Sequence, residues 1–276
     1  LEQDALPWLP AILELGLLPR QVRLVVDIDD AVFHNYDMHA NSAVRAMLGQ
    51  KMDRLMARAD LVVAGNSYLA DRAISAGSRR VEVVPTVIDL ERYVPQPKND
   101  NPADEVIVGW IGSPATTKYL GVVSEVLGRL RREHKIRCVA IGARSDQLVG
   151  TPFEPVDWRE DTELRSLHGL DIGIMPLPDS PWERGKCGYK LIQYMACGLP
   201  VVASPVGANK KIVCHGENGF LAPDKASWTN YLTQLIMDAS MRTQMGVVGR
   251  QRVEREYCLQ VQGPKFTQML FEVVTN

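Results

Sequence analysis

The sequence predicts an α/β fold of the doubly wound kind, in which helices cover both faces of a parallel sheet. Short runs of β-branched and other apolar residues recur along the 276-residue chain. These runs are continuous rather than alternating, which is typical of strands that are buried on both faces. Segments of helical periodicity separate them, and this alternation favours parallel strands joined by right-handed crossovers.

The individual elements follow from the same patterns. The apolar residues between positions 44 and 56 trace one face of a predicted helix, and those between 120 and 130 trace a second. Three further helical segments are predicted after Asp224. The predicted strands lie at residues 22–26, 61–64, 81–84, 106–111, 137–141, 172–175 and 200–203.

Two domains are expected, with a boundary in the polar, proline-rich stretch 95–102. Residues 1–95 have room for about three strands, fewer than a usual sheet, and the first residue is leucine rather than methionine. We therefore expect this first domain to be incomplete. Residues 96–258 are expected to form a whole second domain, and residues 259–276 a helix that crosses back to the first.

Composition excludes several classes of protein. The formal net charge of -2 supplies no broad basic surface for nucleic acid. The sequence contains no apolar run of about 20 residues, and its start has no basic segment of the signal-peptide type. Its five cysteines are scattered without metal-ligand spacing, which favours free thiols in a reducing, cytoplasmic compartment.

The most informative stretch is residues 190–203, KLIQYMACGLPVVA. A helix is expected to end at Gly198, since glycine readily adopts the left-handed conformation that terminates helices. Pro200 suits the start of the next strand. Without further context, this pattern indicates a generic helix–turn–strand unit.

The amino-acid sequence of this stretch, however, resembles the donor-site helix of retaining GT-B glycosyltransferases of family four, the glycosyl transferases group 1. Other segments are similar to the family in the same order: Asn66-Ser67, the passage 83–89 followed by Tyr93, and residues 206–221. The resemblance runs from about Val22 to the C-terminus. It implies two Rossmann-like domains, the N-terminal one incomplete here.

The resemblance also implies an activity. Such an enzyme would transfer a sugar from a UDP- or GDP-sugar to a glycan, lipid or other acceptor, with retention of configuration and with no metal or other cofactor. The donor would be a substrate. The inner face of a membrane is a further expected location, through peripheral contact by the missing N-terminal region. Whether this chain is active by itself is left open.

Two segments are candidates for binding the donor phosphates. In the first, GWIGSPATTK at 109–118, a strand leads through Gly112 and Ser113 to a predicted helix N-terminus, where free N–H groups can bind an anion. Lys118 matches a lysine of the family, whereas Ser113 stands where the family has arginine. A tight turn with a helix cap is the alternative.

The second segment, RGKCGYK at 184–190, supplies Arg184, Lys186, Gly188 and Lys190. Fixed cations of this kind neutralise a departing diphosphate when no metal is used. The alternative is a solvated basic turn. The resemblance makes Lys190 the strongest candidate, because related enzymes carry a lysine at this position.

The chain also departs from the family. Two glutamates normally lie eight positions apart, and here those positions are Gly185 and Gln193. Gln193 can still accept a ribose hydroxyl through its carbonyl oxygen, and Glu183 is the candidate replacement for the first glutamate. The resulting candidates for catalysis are Lys118, Lys190 and Glu183, with Gly112, Ser113, Arg184, Lys186, Gly188 and Gln193 as donor-binding residues.

Two alternatives to an active transferase remain. Because the family's arginine and both glutamates are replaced, the second hypothesis is a GT-B-like nucleotide- or glycan-binding protein with weak catalysis. The acidic run 27–30 suggests a third function, a Mg²⁺-dependent phosphatase that uses Asp27 and Asp29. On the GT-B interpretation, Asp29 and Asp30 lie on the acceptor side or merely cap a strand.

Overall fold

The computed structural model describes residues 1–19, 21–96 and 105–275, which form two compact units. The first unit comprises Leu1–Thr86, Asp179–Cys187 and Gln262–Asn276. The second comprises Val87–Pro178 and Gly188–Val261. No helix in the described ranges is both long and apolar enough to cross a bilayer.

The first unit contains a three-stranded parallel sheet. Its strands are β1 (Val25–Ile28), β2 (Leu61–Ala64) and β3 (Val81–Val83), and β2 is central. All four residues of β2 are buried. The helices that belong to this unit are α1 (Ala11–Leu17), α2 (His34–Asp37), α3 (Ser42–Leu48), α4 (Lys51–Arg58), α5 (Ser67–Ser75) and, later in the chain, α8 (Pro181–Arg184).

Two predictions for this unit need correction. The first strand begins at Val25 rather than at Val22, whose side chain is 45% exposed. The single helix predicted across residues 44–56 is two helices, α3 and α4. The break follows Gly49, a poor helix former, where Gln50 leaves the helical region with φ -103° and ψ 13°.

The second unit contains a six-stranded parallel sheet in the order β6-β5-β4-β7-β8-β9. The chain therefore builds the sheet outwards from β4 in one direction and then returns to β4's other side. The strands are β4 (Val106–Ile111), β5 (Ile136–Ile141), β6 (Phe153–Val156), β7 (Ile172–Met175), β8 (Val201–Ala203) and β9 (Gly219–Leu221).

Helices cover both faces of this sheet, and a separate apolar core lies on each. Trp110 of β4 packs in one core and its neighbour Ile111 in the other. The prediction of strands buried on both faces is confirmed for β4, β5, β7 and β8. It is wrong for β3, an edge strand of the first unit whose residue Val83 is exposed. The helices are α6 (Ser124–Glu133), α7 (Glu163–His168), α9 (Tyr189–Ala196), α10 (Asn209–Ile212), α11 (Lys225–Met237) and α12 (Ala239–Glu256), with 3₁₀ helices at Pro114–Val122 and Ser145–Leu148.

The last helix, α13 (Leu259–Thr275), begins in the second unit and belongs to the first from Gln262 onwards. The units meet in sequence at Thr86 and Val87, earlier than the predicted boundary in the stretch 95–102, of which residues 97–102 lie outside the described residues. The reason is packing, since Ile88 and Tyr93 are buried in a core of the second unit.

Candidate functional site

A cavity of about 910 Å³ lies in the second unit at the carboxyl ends of β4, β5 and β6. Its size lies at the upper end of the usual range for small-molecule sites. Because β4 is the strand at which the strand order reverses, this is the edge where doubly wound sheets bind ligands. The lining residues are Ile111, Gly112, Ser113, Pro114, Gly142, Ala143, Arg144, Ser145, Asp157, Trp158, Arg159, Glu163, Tyr189, Lys190 and Gln193.

Two glycines form the base of this cavity, each directly after a strand. Gly142 has a φ of +84°, and a Cβ atom there would lie 2.2 Å from the carbonyl oxygen of Gly112. A Cβ on Gly112 would lie 2.4 Å from the Trp110 ring and 2.8 Å from Cε of Lys190. Only glycine fits at either position without displacing its neighbours.

Lys190 supplies a cation to the cavity. It lies in the first turn of α9, which begins after Gly188 in the left-handed conformation (φ 73°). The Lys190 Nζ lies 5.6 Å from the centroid of the Trp110 ring, within the range of a cation–π contact. The predicted donor-site lysine therefore lies at the cavity, whereas Gly188 is not one of the residues that line it.

Gln193 lies one turn after Lys190 and belongs to a buried chain of hydrogen bonds. Its Nε2 donates to the Tyr93 hydroxyl at 2.9 Å, and Tyr93 donates to Oε1 of Glu163 at 2.5 Å. The other carboxylate oxygen, Oε2, accepts from Trp158 Nε1 at 2.8 Å. Burial, followed by the bond to Glu163, raises the pKa of Tyr93 well above its usual range, so this hydroxyl keeps its proton.

Charged residues at the rim complete the site. Arg144 follows β5 and Arg159 follows β6, and each forms an ion pair with an exposed aspartate, Asp146 and Asp161 respectively. Exposed pairs of this kind contribute little to stability, so both guanidinium groups are available for a ligand to recruit. Ser113 is exposed and precedes a 3₁₀ helix, not the α-helix expected at this position.

Sequence reasoning missed Glu163, Arg144 and the role of Tyr93. Both Glu163 and Arg144 follow a strand end by a few residues, which is the signal that would have found them. Glu163 is only 7% exposed, and a buried carboxylate in a cavity wall is rarely without a role.

The other predicted donor residues lie elsewhere in the described chain. Lys118 is exposed, with its Nζ 5.3 Å from the Tyr119 ring, and it is not among the residues that line the cavity. Glu183, Arg184 and Lys186 belong to the first unit. There Arg184 forms an ion pair with Asp179 at 2.6 Å, and Glu183 is buried and accepts a hydrogen bond from Ser180.

Gly185 has no room for a side chain. A Cβ atom at this position would lie 2.4 Å from Cβ of Ala31 and 2.8 Å from its backbone nitrogen. The Gly185 carbonyl accepts from Nδ2 of Asn66 at 2.8 Å, while Oδ1 of Asn66 caps α5. The segment is therefore packed too closely for a side chain, and Asn66 holds it in place.

The acidic run 27–30 has protein partners. Both carboxylate oxygens of Asp30 lie 3.0 Å from Nζ of Lys186, and Asp29 accepts from Nε2 of Gln3 at 2.9 Å. Burial, followed by the charge of Asp29, raises the pKa of Asp27. Within the described ranges, no group of three acidic, histidine or cysteine side chains is arranged to hold a metal ion, so the phosphatase hypothesis gains no support.

The family model and the curated relatives that match this chain describe glycosyltransferases. Residues 105–238, which contain all the residues that line the cavity, match the family described as glycosyl transferases group 1. A D-inositol 3-phosphate glycosyltransferase of Stackebrandtia nassauensis is 25% identical over 224 residues, covering 70% of this chain and 50% of the relative. A GDP-mannose-dependent phosphatidylinositol monomannoside mannosyltransferase of Corynebacterium glutamicum is 24% identical over 248 residues, covering 80% and 64%. The chain spans about half the length of the curated D-inositol 3-phosphate glycosyltransferases that it matches over most of its own length.

Solved structures are similar over a larger share of the chain. Sucrose-phosphate synthase from Thermosynechococcus elongatus has a TM-score of 0.76 at 18% identity, covering 97% of this chain and 72% of that one. Anabaena Alr3699/HepE in complex with UDP and glucose has a TM-score of 0.71 at 18% identity, covering 90% and 71%. These likenesses confirm the predicted fold class, an α/β GT-B fold with Rossmann-like domains; at such identities they show the fold alone.

Proposed function

We propose that this chain acts as a glycosyltransferase that takes its sugar from a nucleotide diphosphate sugar, and that the donor binds in the cavity of the second unit. The observation that carries the proposal is the cavity itself. It combines the glycine-lined strand ends, the Lys190 cation and the Gln193 amide at the point where the strand order reverses. The match of residues 105–238 to group 1 glycosyl transferases supports the same function.

Each part of such a donor has a counterpart in the lining. The diphosphate pairs with Lys190, and Arg144 and Ser113 supply further donors. The ribose lies against Gln193, whose amide oxygen accepts a hydroxyl proton. Trp158, which is 50% exposed, offers a face on which a base can stack.

We propose that transfer proceeds with retention and without a metal. The bond between the sugar's anomeric carbon and the diphosphate oxygen breaks, and a bond from the acceptor oxygen forms on the same face. The acceptor's proton passes to the leaving diphosphate, so no protein base is required. Lys190 stabilises the charge that develops on this leaving group.

The second candidate is a protein that binds nucleotide or glycan with weak catalysis. Two observations favour it: Gly185 is packed too tightly to hold the glutamate that related enzymes use, and Lys186 forms a partly buried ion pair with Asp30. The two candidates share the cavity and differ only in turnover.

Titration calorimetry with UDP, GDP and their sugars, in Mg²⁺ and in EDTA, tests the proposal. We expect micromolar binding of one nucleotide with the same affinity in both buffers. An absolute requirement for Mg²⁺ contradicts the metal-independent site. Donor hydrolysis by the chain then separates the transferase from the weakly catalytic binding protein.

Replacement of Lys190 tests the phosphate assignment. We expect Lys190→Ala to weaken nucleotide diphosphate binding more than tenfold, because a charge-assisted hydrogen bond contributes about 1.5–3 kcal/mol. Lys210→Ala, an exposed lysine of α10, is the matched control and should bind as the parent does. Lys118→Ala tests whether Lys118, the other lysine predicted from the sequence, also binds the phosphates. Because Lys118 does not line the cavity, we expect a smaller loss of affinity than in Lys190→Ala.

A further inference from the structure

Gln193 lies at one end of the buried series of hydrogen bonds, and Trp158 lies at the other. The bond at Trp158 determines which group donates and which accepts in each of the other bonds. The indole N–H of Trp158 can only donate, so Oε2 of Glu163 must accept. Oε1 of the same carboxylate accepts from Tyr93, and Arg92 Nη2 lies 3.5 Å from that oxygen. Both carboxylate oxygens of Glu163 therefore act as acceptors, and a guanidinium group lies beside one of them.

The next link is Tyr93, which has a single hydroxyl proton. Because that proton goes to Glu163, the Tyr93 oxygen can only accept from its other two neighbours, the Gln193 amide and the Tyr189 hydroxyl, which lies 3.5 Å away. Gln193 meets this requirement with Nε2 at 2.9 Å. The amide group is thus held with its nitrogen towards Tyr93, which leaves its carbonyl oxygen as the acceptor to present to a ligand. Gln193 is 3% exposed and lines the cavity.

We propose that Glu163 and Tyr93 are positioning residues that orient the Gln193 carbonyl oxygen towards the vicinal hydroxyls of a ribose. This inference rests on the proposed donor site. It also accounts for the glutamine, which stands where related enzymes have a carboxylate. A carboxylate accepts with either oxygen, whereas an amide accepts with one, so an amide needs partners that determine which way it faces.

A single isosteric substitution at position 163 should reverse the direction of the hydrogen bonds from Tyr93 to its two partners. In Glu163→Gln, the Trp158 N–H still requires an acceptor, so the new amide turns its oxygen to Trp158 and its NH₂ group to Tyr93. The Tyr93 hydroxyl then donates to Gln193 instead of accepting from it, because Gln193 lies at 2.9 Å and the competing Tyr189 hydroxyl at 3.5 Å. Gln193 must turn its oxygen to Tyr93 and its NH₂ group to the ligand, and the acceptor for ribose is lost.

A second substitution, at position 193, should restore the acceptor for the ribose hydroxyls. In the exchange variant Glu163→Gln/Gln193→Glu, Tyr93 donates to the new carboxylate at position 193, which still has an acceptor for the ribose hydroxyls. The exchange conserves charge and side-chain size. A role for Glu163 in stability alone predicts no such recovery.

The experiment measures ribose discrimination, defined as the Kd of a 2′-deoxy or 3′-deoxy nucleotide diphosphate divided by that of its ribose form. The probe is UDP, or GDP if the wild-type chain binds it more tightly. We expect a ratio of about ten for the wild type, the value of one hydrogen bond. The ratio should fall in Glu163→Gln, where an NH₂ donor replaces the acceptor that faces the ribose hydroxyls, and return to about ten in the exchange variant.

Two further variants keep the test decisive. Glu160→Gln, the same change at an exposed neighbouring glutamate, should keep the wild-type ratio. Tyr93→Phe removes the hydroxyl that fixes the amide and should lower the ratio by another route, and it decides the matter if Glu163→Gln does not fold.

The outcomes separate this inference from the proposed function. Wild-type chain that binds neither UDP nor GDP overturns the donor site and the inference with it. Wild-type binding without discrimination, discrimination retained in the Glu163 or Tyr93 variants, or no recovery on exchange overturns the inference alone.

Discussion

At the scale of single residues, glycines determine whether the cavity has room for a ligand. Gly142 and Gly150 both have positive φ, +84° and +78°. They differ in surroundings, because a Cβ at Gly142 would lie 2.2 Å from the Gly112 carbonyl oxygen whereas nothing lies within 4 Å of one at Gly150. Alanine substitution at Gly150 therefore introduces backbone strain alone, whereas alanine at Gly142 introduces the same strain and also a steric clash in the cavity.

Gly142→Ala should therefore lower the free energy of unfolding by about 2–4 kcal/mol, combining strain of about 1 kcal/mol with overpacking. We also expect nucleotide affinity to fall more than tenfold. Denaturant unfolding and calorimetric titration measure the two effects. Gly150→Ala should cost about 1 kcal/mol and leave affinity intact, and equal losses of affinity in both variants would contradict this view of the cavity base.

Asp27 provides a prediction on pH. Burial, then the charge of Asp29, raises its pKa, so the folded chain holds this proton more tightly than the unfolded chain does. The free energy of unfolding should consequently fall as the pH rises from the unfolded value of 3.8 through the raised pKa. Asp27→Asn removes that loss and should stabilise the chain at pH 7 by about 1 kcal/mol.

Asp60 is the control of opposite sign. The backbone N–H of Leu24, and then Arg23, lower its pKa, so its contribution to stability is present above the unfolded pKa and is lost as the pH falls through the folded one. Asp60→Asn should therefore destabilise the chain at pH 7. Thermal unfolding of both variants between about pH 2 and pH 7, which spans the range where carboxyl groups titrate, shows whether the two slopes change in opposite directions.

At the scale of elements, the sequence predicted most strands within three residues because parallel strands carry their apolar runs locally. The break between α3 and α4 was missed, since both helices continue one apolar face and only the conformation of Gln50 interrupts them. Likewise, a basic residue such as Lys51 at a helix start indicates an exposed side chain, yet the structure buries it.

Lys51 holds the N-terminal segment of the first unit against α4. Its side chain is fully buried, and Nζ lies 2.6 Å from an Asp4 oxygen and 3.1 Å from Oε1 of Glu14 on α1. Lys51→Met leaves two buried carboxylates without a cation and should cost about 3–5 kcal/mol. Denaturant unfolding and faster proteolysis within residues 1–17 are the measurements.

A triple variant tests the cause of that loss. Adding Asp4→Asn and Glu14→Gln to Lys51→Met removes the unpaired charges and should recover at least half of the stability. If the triple variant is no more stable than Lys51→Met alone, packing rather than charge is responsible.

At the scale of the whole molecule, the proposed donor site draws its lining from the second unit. Hydrogen exchange with a saturating nucleotide diphosphate should therefore show its greatest protection in segments 112–116, 142–146, 157–163 and 189–193, because a ligand that binds the folded state stabilises the groups it contacts. Segment 42–58 of the first unit serves as the internal control. Protection confined to that control segment would contradict the location of the site.

The residues predicted to form the site fall into two groups, according to whether a short sequence motif is enough to identify them. Gly112, Ser113, Lys190 and Gln193 were predicted from short motifs and line the cavity. For Lys118, Glu183, Arg184 and Lys186, a role in the donor site stays a prediction. Their motif positions resemble those of the family, but spacing along a chain does not reveal an ion pair such as Lys186 with Asp30.

By itself, then, the sequence determined the α/β class, the parallel sheets and the helix that bears Lys190 and Gln193, because these depend on periodicity and on turns within a few residues. The tertiary structure alone decided which groups meet. Tyr93 contacts Glu163 and Gln193 across 70 and 100 residues of chain. The packing that brings such distant residues together has no local signature, and it is this packing that determines which atom of Gln193 faces a ligand.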